Sequence, residues 1–225
     1  MAWGMRNIVI CLFGSSIMEG RIGVERAEDR YYAIMRRLLS EEFPEVCFSI
    51  INAAVGAAST RELMAEFPDT VVRQDPDYCL FMPGFNNLDL DHPERTLRPG
   101  EFEELTAEFQ RALPAHCRRV GVTPHEVIDR YHNFTTAPAW REYLAARGGL
   151  NKVLAPERAA ARKFFADNGY PVIDLCTLIG GDPERHILHS DGIHLSPEGH
   201  RRFGEAAFRL MAELLIKNRQ NTNGR

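Results

Sequence analysis

The run NIVICLF at Asn7–Phe13 is apolar at nearly every position, without the alternation of a strand that wets one face. Such a strand is buried on both faces, the situation of a parallel sheet covered by helices above and below. The rest of the chain repeats the demand. Apolar runs at Val46–Ile51, Asp77–Met82, Arg118–Thr123 and Pro171–Leu175 alternate with stretches of helical period. Helices are predicted at Ala27–Glu42, Ser59–Phe67, Pro99–Leu113, Ala155–Asn168 and Ser196–Lys217. In the first of these Tyr31, Ile34, Met35, Leu38 and Leu39 share one side. Gly169 ends the fourth, and Ser196 with Pro197 opens the last. Strands separated by helices predict an α/β fold: a three-layer α/β/α sandwich around a central five-stranded parallel sheet. A chain of 225 residues suits one domain, expected over 1–217, with 218–225 as a flexible tail.

The net charge of −4 gives no basic patch for nucleic acid and no attraction to an anionic membrane. No run approaches the ~18–20 apolar residues of a membrane span. Ile8–Phe13 is shorter than the apolar stretch of ~7–15 residues in a signal peptide, so a cytoplasmic protein is expected. Of five cysteines, Cys11, Cys47, Cys79 and Cys117 sit in or beside strand-like runs, and Cys176 does not. The odd count and the lack of any C-x-x-C pair predict buried free thiols rather than disulfides or zinc.

Segment 124–151 breaks the rhythm. It holds His125, Tyr131, His132, Phe134, Trp140 and Tyr143 after the fourth strand. Ligands bind beyond the carboxyl ends of strands in open α/β sheets, so the segment reads either as a substrate wall or lid, or as an amphipathic helix packed on the body.

Four short blocks carry chemistry, each after a strand or before the last helix. FGSSIMEG (13–20) puts serines at a strand-to-helix turn. NAAVGAAST (52–60) is a small-residue loop that lets backbone approach a ligand. PGFNN (83–87) offers a side-chain amide as an oxyanion donor. SDGIHLSPEGH (190–200) spaces Asp191 and His194 three apart. A carboxylate at that spacing can bind one imidazole nitrogen and leave the other to take a proton from a nucleophile. Each block alone has an ordinary reading as turn or loop. Together, at one sheet edge, they supply nucleophile, oxyanion donors, base and orienting acid for acyl transfer.

In order and approximate spacing the blocks resemble those of the SGNH hydrolases, also called GDSL esterases, from Phe13 to His200. The resemblance implies a flavodoxin-like fold and a serine esterase acting on a small carboxylic ester, with a short acyl or acetyl group and a carbohydrate among the alcohols the family uses. It implies Ser16 as nucleophile, His194 and Asp191 as its partners, and the Ser16 N–H, the Ala57 N–H and the Asn86 side chain as oxyanion donors. Ser15, Gly56, Asn87, His125 and Trp140 are expected to touch substrate. No metal or cofactor is expected, and the expected partner is the small-molecule ester alone, without nucleic acid or membrane.

The chain departs from the family pattern at three places. Ser15 stands where aspartate is usual, Ala57 where glycine is usual, and Asn87 where aspartate often follows the asparagine. The alanine is expected to be harmless if its φ is negative. Loss of two acids near the nucleophile is expected to lower the pH at which the base protonates. Ser15→Asp should therefore move the acid limb of kcat/KM upward, and a downward move contradicts the expectation. His186 and His189 crowd Asp191 and His194, but no H-E-x-x-H or cysteine pair joins them, and they read as loop or surface residues. An α/β-hydrolase elbow and a dinucleotide fingerprint are both missing. An acyltransferase on the same triad, or a silent binding module of the same fold, are the competing functions.

Overall fold

A computed structural model describes residues 6–84, 86–135 and 137–223. Residues 1–5 and 224–225, on which parts of the readings of the chain's start and tail fall, lie outside the described residues. The strands are β1 (Arg6–Gly14), β2 (Val46–Asn52), β3 (Tyr78–Met82), β4 (Arg118–Thr123) and β5 (Val172–Asp174), all parallel, in the order β2-β1-β3-β4-β5. This is the doubly wound order of flavodoxin-like proteins. The chain leaves β1 toward β2, then returns to the other side of β1 as β3. A crevice therefore opens at the carboxyl end of β1, where the first serine block emerges.

The apolar pattern of β1 divides by parity, as successive side chains leave opposite faces of a strand. Ile8, Ile10 and Leu12 enter one core with α2 (Tyr31–Glu42), α7 (Leu175–Gly180) and α9 (Pro197–Asn223). Cys11 and Phe13 enter the other with α3 (Thr60–Thr70), α4 (Glu101–Ala112) and α6 (Leu150–Asp167). In the second core Phe13, Phe67, Phe81 and Phe109 pack ring to ring, with centroids 4.3 Å apart for Phe81–Phe109 and 4.8 Å for Phe13–Phe67. Two short helices, α1 (Ser16–Glu19) and α8 (Pro183–His186), and α5 (Pro138–Ala145) complete the set. No helix of the described residues is long and apolar enough to cross a membrane.

Several boundaries differ from the sequence reading. The predicted helix over 27–42 is interrupted at Arg30, which is extended (φ −67°, ψ 141°). The Tyr31 N–H then donates to His200 Nδ1 on α9 at 3.3 Å instead of staying inside a longer helix. Helix α6 starts at Leu150 and carries Pro156 in its interior. Helix α9 runs on to Asn223, so 218–223 is helical rather than a flexible tail. Cys11, Cys79 and Cys117 are buried, and burial pushes their thiols upward. Cys47 is exposed, against expectation, because β2 is an edge strand with uncovered positions.

Candidate active site

Ser16 is half-buried at the first position of α1, directly after β1 and the extended Ser15. Tyr31, stacked on Phe203 of α9 with centroids 4.0 Å apart, donates its hydroxyl to the Met18 carbonyl at 2.8 Å. That bond pins the short helix to the body. Ser15 is 1% exposed and its Oγ has no partner among the described residues. The side chain expected to touch substrate is thus enclosed beneath the serine turn.

The second and third blocks are stitched to the first. The N–H groups of Ala53 and Val55 donate to the carbonyls of Leu12 and Gly14 at 2.9 and 3.0 Å, and Asn52 Nδ2 donates to the Glu19 carbonyl at 3.0 Å. Ser59 and Glu62 form a capping box on α3, satisfying each other's backbone donors. Asn86 Nδ2 donates to the Ala58 carbonyl at 3.2 Å. Asn87 is 4% exposed and accepts the Thr60 N–H at 2.9 Å. It therefore fastens the third block to α3. Ala57 has φ +60°, so the negative φ on which its harmlessness was conditional is not met. Among the described residues no acceptor takes the N–H of Ser16 or of Ala57.

The fourth block is a tight turn closed by an antiparallel bridge between Ile187 and Leu195. Asp191 Oδ1 accepts the N–H groups of Ile193 and His194, both at 2.9 Å, while Oδ2 accepts Nδ1–H of His194 at 2.9 Å. Burial pushes the Asp191 carboxyl up. The bonds from the His194 ring and the two backbone donors outweigh it and hold the group at about 2. With Nδ1 engaged, His194 Nε2 carries the lone pair, and it is buried without a hydrogen-bond partner among the described residues. His200 ties this block to the loop just after the first: its Nε2 donates to the Ile22 carbonyl at 2.8 Å. Gly23 lies so close to the Leu195 carbonyl that a Cβ there would stand 1.9 Å from the oxygen.

Segment 124–151 supports this turn. Ile128 N–H donates to the Gly192 carbonyl at 2.8 Å. Gly192 has φ +69°, and a Cβ would meet the Ile128 oxygen at 2.5 Å. Gly192→Ala is expected to cost several °C in Tm and at least tenfold in kcat together, because the clash is with backbone that cannot rotate away. Thermal melting and ester turnover check this, and a variant matching the parent in both contradicts it.

Two further expected substrate contacts lie inside the protein. Trp140 is 1% exposed, stacks on Phe134 with centroids 4.0 Å apart and donates Nε1–H to Asp91 at 3.1 Å. It anchors α5 in the core. His125 is fully buried and donates Nδ1–H to the Glu126 carbonyl at 2.8 Å. Burial above all, with the neighbouring His194 and Arg158, lowers it to about 4 and keeps it neutral. Gly56 is exposed on the second-block loop. His186 is buried with Nδ1 bonded to the Ile179 carbonyl, not a surface residue. His189 is exposed and stacks on Tyr131, centroids 4.7 Å apart. No group of three histidine, cysteine or carboxylate side chains among the described residues is arranged to hold a metal. The sequence reading missed His200 and Tyr31, whose buried polar roles have no local motif.

The sheet order and the four joined loops define a doubly wound α/β protein with its ligand edge at β1. The chain belongs to the GDSL-like lipase/acylhydrolase family, whose profile matches residues 12–202, and is a hydrolase of that family. No curated protein matches it in sequence. Solved structures share its fold. A lipase/acylhydrolase from Enterococcus faecalis superposes with a TM-score of 0.67 at 20% identity, covering 91% of this chain and 94% of that one. An acetylxylan esterase from Geobacillus stearothermophilus gives 0.64 at 18%, covering 91% and 93%. The acetyl xylan esterase AlAXEase gives 0.64 at 21%, covering 90% and 98%.

Proposed function

We propose that the protein is a serine esterase that hydrolyses a small carboxylic ester through Ser16, His194 and Asp191. The observation that carries the reading is the Asp191–His194 bond, which leaves a buried, unpartnered Nε2 in a loop tied to the serine block. His194 Nε2 takes the Ser16 proton as Oγ attacks the ester carbonyl. Asp191 holds the imidazole in the required tautomer and stabilises the imidazolium. The oxyanion is met by the N–H groups of Ser16 and Ala57, which have no acceptor among the described residues, and by the second hydrogen of Asn86 Nδ2. His194 then protonates the leaving alcohol, water enters, and the steps reverse on the acyl-enzyme.

The substrate assigned is a short-chain or acetyl ester, on a carbohydrate in the first instance. The similarity in fold to two proteins described as acetylxylan esterases supports that choice. The test is turnover of p-nitrophenyl acetate, butyrate and octanoate by the parent and by Ser16→Ala. Loss of at least 1,000-fold in Ser16→Ala, with acetate preferred, is the expected result. Equal turnover by both forms overturns the nucleophile. A parent that acylates Ser16 but passes the group only to an added sugar or alcohol overturns hydrolysis in favour of transfer.

A further inference from the structure

The third block carries a polar group that neither the fold nor the oxyanion uses. Asn87 is 4% exposed and accepts the Thr60 N–H with Oδ1, yet its Nδ2 is buried without an acceptor among the described residues. A buried amide left unpaired costs free energy that a ligand oxygen would recover. An ionised aspartate could take the same Thr60 N–H but would have no proton to donate. The asparagine therefore adds a donor to the wall in which it sits.

That wall borders a cavity of about 390 Å³ between the loop after the third block and α6. Asn87 and Leu88 line it from the block, Leu97 from the loop, Phe102 from α4, and Pro156 and Glu157 from α6. Small-molecule sites usually measure ~300–1,000 Å³ and are mostly apolar with a few placed polar groups, and this lining has that character. Glu157 approaches the third block at Gly84. Gly84 has φ +95° and no side chain, and the Glu157 carboxylate lies 3.6 Å from where a Cβ would stand. A carboxamide and a carboxylate thus line one cavity from two elements. Asn87 follows Asn86, the proposed oxyanion donor, at a Cα spacing of about 3.8 Å. The cavity therefore starts within reach of a substituent on an ester bound at Asn86.

The lining decides which part of the ester belongs there. A short acyl group has too little volume to fill the space and no polar atom for Asn87 or Glu157. A long acyl chain would fill it but would bury both polar groups against methylenes. A sugar matches on both counts: its hydroxyls donate to a carboxylate and accept from a carboxamide, and its C–H face covers Leu88, Leu97, Phe102 and Pro156.

We propose that this cavity is the subsite for the alcohol part of the ester, a carbohydrate, with Asn87 donating to a sugar oxygen and Glu157 accepting from a sugar hydroxyl. The proposal rests on the functional reading above and deepens it, since it places the choice of alcohol in the third block and α6.

The test compares kcat/KM for two esters, monoacetylated xylobiose and ethyl acetate, whose alcohol is too small to reach Glu157. Both are followed by acid release in a pH-stat, on the parent, Glu157→Met and Val153→Trp. Val153 lines the same cavity from α6, and tryptophan there obstructs it. The parent is expected to prefer the sugar ester. Each variant is expected to lower the ratio of the two kcat/KM values roughly 10-fold, through KM for the sugar ester. A parent without preference, or a ratio that neither variant changes, overturns the subsite. If Glu157→Met does not fold, Val153→Trp carries the comparison. Ser16→Ala is run alongside. Activity surviving there, or a parent inactive on both esters, overturns the esterase reading itself, whereas activity lost in Ser16→Ala together with an unchanged ratio overturns only the subsite.

Discussion

Asp191→Asn is expected to lower kcat about 10,000-fold while moving Tm by no more than about 2 °C. Asparagine keeps an oxygen where Asp191 Oδ1 now accepts the N–H groups of Ile193 and His194, so the turn survives. At the Oδ2 position it presents an amide that donates. His194 Nδ1 must then accept, its proton moves to Nε2, and the nitrogen that receives the Ser16 proton in the proposed mechanism is already occupied. Asp191→Ala separates the two roles, because it removes the turn's acceptor as well and should lose several °C in addition to activity. Because the Asp191 carboxyl is held at about 2, its stabilising bonds are complete above its ordinary value of 3.8 and are lost only as pH falls through about 2. Asp191 is therefore ionised wherever the enzyme is assayed. Turnover by Asp191→Asn within tenfold of the parent removes Asp191 from the mechanism.

A second large effect is expected on stability. His125, His132 and His200 are buried, and each is shifted below its ordinary value chiefly by that burial. A histidine kept neutral in the fold but free to protonate when unfolded contributes stability that is complete above pH 6.5. That contribution is lost as pH falls toward the folded value. For His125, lowered to about 4, the window runs from 6.5 to about 4 and the contribution is on the order of 3 kcal/mol. The carboxylates Glu62 and Glu101, held at about 2 by Arg95 and Arg61, lose theirs in a separate window, from 4.5 to about 2. Acid sensitivity should thus begin before any carboxylate titrates, with Tm falling on the order of 10 °C between pH 7 and pH 4.5. In His125→Gln the slope of stability against pH in that window should fall by roughly one proton. A Tm that stays level from pH 7 to pH 5 excludes the effect.

The central strands β1 and β3 were legible in the sequence because they are buried on both faces along most of their length, where apolarity is required. Helix ends were less so, since they depend on distant partners. The break at Arg30 follows from the Tyr31 bond to His200, which no local pattern encodes. The Asp191 and His194 pair was legible because three-residue spacing on a turn almost dictates the contact. The burial of Trp140 and His125 was not legible, because an aromatic or imidazole side chain after a strand reads alike whether it lines a cleft or fills a core. The bond of Asn87 to α3 was hidden for a related reason: an amide can serve a ligand or a neighbouring helix, and the sequence reads alike in both cases. The sign of φ at Ala57 was hidden as well, because nothing in the letter alanine announces a left-handed residue.

The bond from His200 to Ile22 joins residues 178 positions apart and is one of the ties between the loop that bears the serine and the loop that bears the base. During synthesis the serine leaves the ribosome early and the histidine late. At ~5–20 residues per second the interval is on the order of 10–40 s. Late in that interval, once β5 has been made, the nascent chain can hold its sheet but lacks the proposed base His194, and its hydroxyl is chemically ordinary. Hydrolytic competence should therefore appear abruptly, when α9 docks on α2, and not in proportion to the length of chain already folded.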